Sequence, residues 1–240
     1  MKVILFFLGF TYSSICFSQI YDDSEIEDNS FLSPWIEDDM ENYEAVYFFG
    51  ISEGESMVTL AIDNGIVDLQ ISNNGKAYYH NEEFGGWKRN IENYTNVRIV
   101  GNKFYSDQTN GEFILFNNGE IEEKCLKLDR PPKDLYNGKY ELGGQAKESL
   151  DSFYYGKYKS TKFEIISLEK LRLMSLFDLK IMRNEIFARY GYPFKKGGEM
   201  EIYFKKQLWY YMSSLNMDKC LTQIEKENIK NIQSIEKEKG

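Results

Sequence analysis

The sequence predicts an α+β protein of two domains. An N-terminal antiparallel β-meander, closed into a small barrel or folded into a sandwich, precedes a small α-helical domain. Three observations carry this. Apolar residues alternate with period two through the first half, as half-buried strands require. Asn-Gly pairs punctuate that half and supply the positive φ that tight hairpins need. From Ser167 onward the apolar spacing changes to three and four, the period of a helix buried along one stripe.

The order along the chain begins with MKVILFFLGFTYSSICFS. One lysine, an apolar run from Val3 to Phe10 and small residues at Cys16 and Ser18 form an export signal (1–18), cleaved between Ser18 and Gln19. A lipoprotein signal with Cys16 acylated is a second reading, against which stands Ile15, where a small residue is wanted. The apolar run is shorter than the roughly 20 residues a membrane span needs, and no later segment is long and apolar enough. The expected product is exported to the periplasm, the cell surface or the medium, with no membrane span.

Residues 19–42 read as an acidic leader. Ten carboxylates and no basic residue lie between 22 and 44, and without a DxDxDG loop a solvated segment is favoured over a calcium site. The β domain covers 43–128. VTLAI at 58–62 places Val58, Leu60 and Ile62 on one side, and IVDLQI at 66–71 does the same with Val67, Leu69 and Ile71. DNG at 63–65, NNG at 73–75, TNG at 109–111 and NNG at 117–119 are the expected turns, and about eight strands fit between Tyr43 and Leu128. KAYYHNEEFGGWKR at 76–89 gathers Tyr78, Tyr79, His80, Glu82, Glu83 and Trp87. Such rings and carboxylates suit a sugar ring or an apolar ligand, although core packing around a Gly85-Gly86 turn explains them more simply.

Residues 129–159 carry two prolines and two glycine-containing breaks. They read as a linker with a short strand or hairpin near Lys139 to Leu142. Residues 160–240 form the helical domain. Ser167 caps a short helix over Leu168 to Met174. Ser175, with Asp178 three residues on, caps the next. Leu179, Met182, Ile186 and Tyr190 form its apolar stripe, and Gly191 with Pro193 ends it. Thr222 and Glu225 make a capping box for the last helix, whose buried face holds Ile224, Asn228, Ile232 and Ile235.

Charge differs between the halves. Residues 22–128 carry 22 acidic and 7 basic side chains, whereas 159–240 carry 11 acidic and 16 basic, which suggests attraction across an interface. Phosphate would be repelled by the acidic half, so nucleic acid is not an expected partner. Cys125 and Cys220, one per half, are two buried thiols or a bridge, the thiols being favoured. Neither has zinc or redox spacing, and with one histidine no metal site, cofactor or catalytic triad is expected.

The stretch LKIMRNEIFARYGYPF, then YFKKQLWY at 203–210 and LTQIEKENIKNI at 221–232, together resemble the YARHG domain, over about residues 166–236. The signature stands as FARYG at 187–191, with Phe187 in place of its tyrosine and Tyr190 in place of its histidine, and the Trp209-Tyr210 pair is kept. The resemblance implies an exported bacterial domain with no assigned activity. Local rules leave Arg183 and Asn184 unexplained. One reading makes Arg183, Asn184, Glu185, Arg189 and Asn228 a polar network that fixes the helices. The other makes Arg183, Asn184, Arg189, Tyr190, Trp209 and Tyr210 a ligand groove, since arginines beside aromatic rings suit carboxylated or glycan material. The expected function is a non-catalytic binding module of the cell envelope or extracellular space, with a cell-wall glycan or an envelope protein as partner. The alternatives are a hydrolase using carboxylates such as Glu82 or Glu83 and a scaffolding partner of envelope proteins.

Overall fold

The computed structural model describes residues 29–50, 56–78, 84–129, 142–213 and 215–240, with the backbone alone for 75–78 and 84–88. The expected export signal lies outside these residues, as do Tyr79, His80, Glu82, Glu83 and the side chains of Tyr78 and Trp87.

The architecture is α+β, an antiparallel curled sheet followed by helices. The strands are β1 (Leu32–Pro34), β2 (Ala45–Phe49), β3 (Ser56–Asp63), β4 (Ile66–Tyr78), β5 (Phe84–Asn93), β6 (Arg98–Val100), β7 (Lys103–Tyr105), β8 (Gly111–Asn117), β9 (Glu122–Leu128) and β10 (Leu142–Gln145). Their order across the sheet is β5-β4-β3-β2-β10-β9-β8-β7-β6, with β1 paired to β8. Two meanders thus run outward from a central strand, β10, which comes last in the chain. Edge strands β5 and β6 are joined by residues 94–97 alone. Five Cα spacings reach at most about 18 Å, so the two edges must approach each other and the sheet curls into a half-barrel.

Alternation sorts the side chains as expected. Val58, Leu60, Ile62, Leu69 and Ile71 face the inside of the curl with Tyr47, Phe49, Phe104, Phe113 and Leu126. Part of the acidic leader belongs to this core. Trp35 is only 2% exposed, edge-on to Tyr43, and β1 beside it is held by β8. Leader residues from 29 on are therefore structured, anchored by the Trp35 ring, while Asp38, Asp39 and Glu41 stay exposed to solvent as expected. The Asn64-Gly65 turn has both φ values positive, at 49° and 77°, as a tight hairpin demands. The NNG at 73–75 is not a turn. It continues β4, where Asn73 faces Asn90 across the ladder and accepts a hydrogen bond from its amide at 3.1 Å. The unforeseen turn is at Gly101, φ 59°, between β6 and β7.

The outer face of β2 and β3 is covered by the helical part. Val46 and Ala61 pack with Ala146, Leu150, Phe163 and Ile224. The helices are α1 (Leu168–Arg172), α2 (Leu176–Ala188), α3 (Glu199–Phe204), α4 (Met217–Cys220) and α5 (Gln223–Lys239). Ser167, Ser175 and Thr222 cap α1, α2 and α5, the last with a reciprocal capping box to Glu225. Sheet and helices are joined by hydrogen bonds as well as packing. The Asp68 carboxylate of β4 accepts the amides of Gln223 at 3.0 Å and Ile224 at 2.7 Å, so it caps α5 from the sheet. The amides of Gln70 and Asn93 donate to the carbonyls of Cys220, Lys219 and Leu221. Cys125 and Cys220 are both buried free thiols.

Asn228 is fully buried in α5, as its place in the stripe implies. Its partners are not Arg183 and Asn184 but backbone. It accepts from Ile166 N at 2.8 Å and donates to the carbonyls of Thr161 and Glu164. A side-chain amide mimics one strand partner and so pins the 161–166 segment onto α5.

At the start of α2 the Asp178 carboxylate accepts hydrogen bonds from Ser175, Tyr158 and Lys157. Those bonds, Ser175 first, hold its pKa at about 2, below the usual 3.8. A folded value below the unfolded one stabilises the fold above about pH 4, and that stability is lost as pH falls through about 2. Asp178→Asn is therefore expected to be less stable than wild type in denaturant titrations at pH 6. The difference should shrink toward zero by pH 2. A gap that stays constant with pH would deny the carboxylate this role.

Candidate functional site

The last turn of α2 and the 3-10 turn Lys159–Lys162 meet above β4. Gly191 makes the meeting possible. At φ 74° its amide returns to the Ala188 carbonyl (2.9 Å) while Tyr192 N bonds the Phe187 carbonyl (3.2 Å). These paired bonds form the Schellman end of a helix. The chain is thereby turned so that the Gly191 carbonyl accepts from Ser213 N at 2.7 Å, and the segment 211–213 lies along the helix end.

Below that end is a buried polar network. Lys162 Nζ, with its side chain 3% exposed, donates to Gln70 Oε1 at 2.9 Å and to the Tyr190 hydroxyl at 2.7 Å, and lies 3.6 Å from Glu225 Oε2. Tyr190 donates to the same Glu225 oxygen at 2.6 Å. A buried ammonium and a buried carboxylate are thus linked through a tyrosine hydroxyl. Burial pushes the Lys162 pKa down, against the pull of Glu225, and pushes that of Tyr190 well up, with the Glu225 charge adding to it. Tyr190 is therefore a neutral hydroxyl at any physiological pH.

Arg189 sits beside this network, 6% exposed. Its Nη2 donates to Thr161 Oγ1 at 2.7 Å and is 3.6 Å from Glu225 Oε1. Its Nη1 reaches the Tyr158 carbonyl and Glu185 Oε1, both at 3.4 Å. Glu185 is occupied by the backbone amides of Lys157 and Tyr158, and burial raises its pKa. Arg189 Nε is buried and has no hydrogen-bond partner. Such an orphan donor costs about 1–3 kcal/mol.

A cleft of about 850 Å³ opens between the sheet and the helical part at this point. Its floor includes Gln70, Lys162, Arg189 and Tyr190, and Arg89 of β5 is on its wall. Trp209, Tyr155 and Tyr211 supply rings, the two tyrosines 67% and 72% exposed. Among the described residues the lining holds three cationic side chains and no Asp or Glu, although the chain carries a net charge of −9. Lys162 and Arg189 share Glu225, whereas Arg89 pairs with no carboxylate among the described residues. Its position follows from the ladder. β4 and β5 continue past the last pair with β3, Met57↔Ser72, and Arg89 lies opposite Asn74 on that extension.

Of the six residues expected to line a groove, Arg189, Tyr190 and Trp209 come together in this cleft. The other three do not join them. Arg183 Nε bonds Glu236 at 2.9 Å and ties α2 to α5. Asn184 donates to the Lys180 carbonyl one turn back, at 2.7 Å. Tyr210 donates to the Tyr192 carbonyl, with its ring against Phe194 and Phe204. The expected five-residue polar network is likewise divided, with Glu185 and Arg189 paired and Asn228 bonded to backbone. Sequence reasoning passed over Gln70, Arg89, Lys162 and Glu225 as site residues. Gln70 falls on the polar side of an alternating strand, which reads as solvent-facing, and Lys162 sits in KSTK, with no periodicity to mark it as buried.

Among the described residues no group of His, Cys, Asp and Glu is placed to hold a metal ion, and no helix is long and apolar enough to cross a membrane. Residues 161–237 match the YARHG domain, which is typically extracellular or periplasmic, and the part before them matches no family. Neither the curated proteins nor the solved structures gave a match to the chain.

Proposed function

We propose that the protein is an exported, non-catalytic binding module that holds cell-wall or other glycan material in the cleft between its sheet and its helices. The single observation behind this is the cleft itself. Its exposed rings, Tyr155, Tyr211 and the half-buried Trp209, offer faces for a sugar ring, and its polar floor is fixed before any ligand arrives. Fixed donors lose little freedom on binding, which favours recognition over adaptation. The export signal at 1–18 and the YARHG match support a place outside the cytoplasm.

The test is a fractionation followed by co-sedimentation. The mature chain, beginning at Gln19, is expected in the envelope or the medium. Purified whole mature protein is expected to pellet with isolated sacculi at moderate salt. Tyr211→Ala, at an exposed position, should keep its melting temperature and weaken retention roughly two- to tenfold, as loss of one ring contact of about 0.5–1.5 kcal/mol implies. Failure of the wild-type protein to pellet, or equal retention of the variant, would remove the glycan reading of the cleft.

A further inference from the structure

The geometry points to a carboxylate as the group this cleft recognises, taken by Arg89 on its wall. The inference rests on the reading of the cleft as a glycan site and narrows it to acidic ligands. Four observations converge. Among the described residues the lining is cationic without a carboxylate, in a protein whose other surfaces are rich in them. Arg89, half-buried on the wall, has no ion-pair partner among the described residues. Arg189 is committed to Thr161, the Tyr158 carbonyl, Glu185 and Glu225, and its unpaired Nε is enclosed by the protein. Lys162 is likewise satisfied by Gln70, Tyr190 and Glu225, so both shape the floor and Arg89 is left as the cation without a counter-charge.

The negative charge of an acid entering the cleft is what Arg89 lacks. Guanidinium groups meet carboxylates with matched planar geometry, which an ammonium does not offer. A neutral sugar would leave Arg89 without a counter-charge and would bury it partly against rings. A sugar carrying a carboxylate, or a wall peptide whose carboxylate lies next to a sugar, supplies both the ring face and the anion. The two sources share the recognised chemistry and differ in what carries it.

Isothermal titration of the whole mature protein decides this with four probes. They are tetragalacturonate, its methyl ester, soluble muropeptides released from sacculi, and the same muropeptides with their carboxylates amidated. At least one acid form is expected to bind, its neutral counterpart at least tenfold more weakly, and which acid form binds identifies the source. Arg89→Gln, at a position bearing no ion pair, should keep the melting temperature. It should weaken the acid form at least tenfold and leave the neutral form unchanged. Equal binding of acid and neutral forms would overturn the carboxylate inference while leaving the glycan reading intact. Acid binding that Arg89→Gln does not alter would also overturn it. Absence of binding by all four probes, with no retention on sacculi, would overturn both.

Discussion

Gly191→Ala is expected to be among the most destabilising single substitutions in the helical part. Its φ of 74° lies in the left-handed region, where an alanine costs roughly 1–2 kcal/mol. The site is also closed. A Cβ there would stand 2.6 Å from Ser213 Cβ, 2.7 Å from the Tyr211 carbonyl oxygen and 2.8 Å from Ser213 N. Two of those three atoms are backbone, and the segment carrying them is bonded to Gly191 itself, so it cannot retreat without losing the 2.7 Å bond from Ser213 N. Strain and displacement together should remove about 2–4 kcal/mol, or roughly 5–15 °C of melting temperature for a chain of this size. Gly197 provides the comparison. It has the same φ of 74° but nothing within 4 Å of a built Cβ. Gly197→Ala should therefore lose only the conformational part, about 1–2 kcal/mol. Thermal unfolding of the two variants side by side measures the difference. Equal losses would mean that the close approach of 211–213 contributes nothing to the helix end.

That comparison also shows which parts of the molecule were legible in the sequence. Gly191 could be placed because glycine after an apolar stripe, followed by proline, has one local meaning. The caps at Ser167, Ser175 and Thr222 were legible for the same reason, since each bond closes within three residues. The alternation of Val58, Leu60 and Ile62 gave their common face. Features that depend on distant partners were not legible. NNG at 73–75 has the composition of a turn but is held extended by β5. A short strand was expected near Lys139 to Leu142, but nothing local marks Leu142–Gln145, with its two glycines, as the strand at the centre of the sheet. Space rather than propensity explains those glycines. A Cβ on Gly143 would stand 2.3 Å from the Phe49 ring, and one on Gly144 would stand 2.7 Å from the Glu123 carboxylate. The site was half-legible by the same rule. Arg189, Tyr190 and Trp209 lie near a recognisable helix end or in the Trp-Tyr pair of a family resemblance. Gln70, Arg89 and Lys162 enter only because the helical part folds back on the sheet. On an isolated strand, Asp68 and Gln70 are solvent-side residues, and the α4–α5 corner makes them buried ones.

The buried network beneath the cleft should respond to charge removal much more than to removal of a whole ion pair. Glu225 is fully buried and is shared by Lys162, Arg189 and Tyr190. Glu225→Gln keeps the shape and the capping-box capacity of the residue, because glutamine also serves at the third position of a helix. It removes the carboxylate that pairs with Lys162, leaving the weaker pull of Asp68. Leaving a buried ammonium without its partner typically costs about 3–5 kcal/mol, and burial already disfavours the charged form of this lysine. Lys162→Met alone should cost less, because Glu225 keeps Arg189 and the Tyr190 hydroxyl. In the double variant no ammonium is left to desolvate, and the methionine fills most of the lysine volume. Its loss should therefore fall short of the sum of the two single losses by roughly 1–3 kcal/mol, the coupling expected of residues in one network. Urea unfolding of the four proteins closes the cycle. Additive losses would mean that Lys162 and Glu225 are independent and that Tyr190 does not transmit between them. A coupled cycle would instead mean that the arginine-bearing end of α2 is held in place by a charge pair anchored to β4 through Gln70. The recognition surface would then exist only in the assembled sheet-and-helix unit, and a helical fragment cut away from the sheet would lose it.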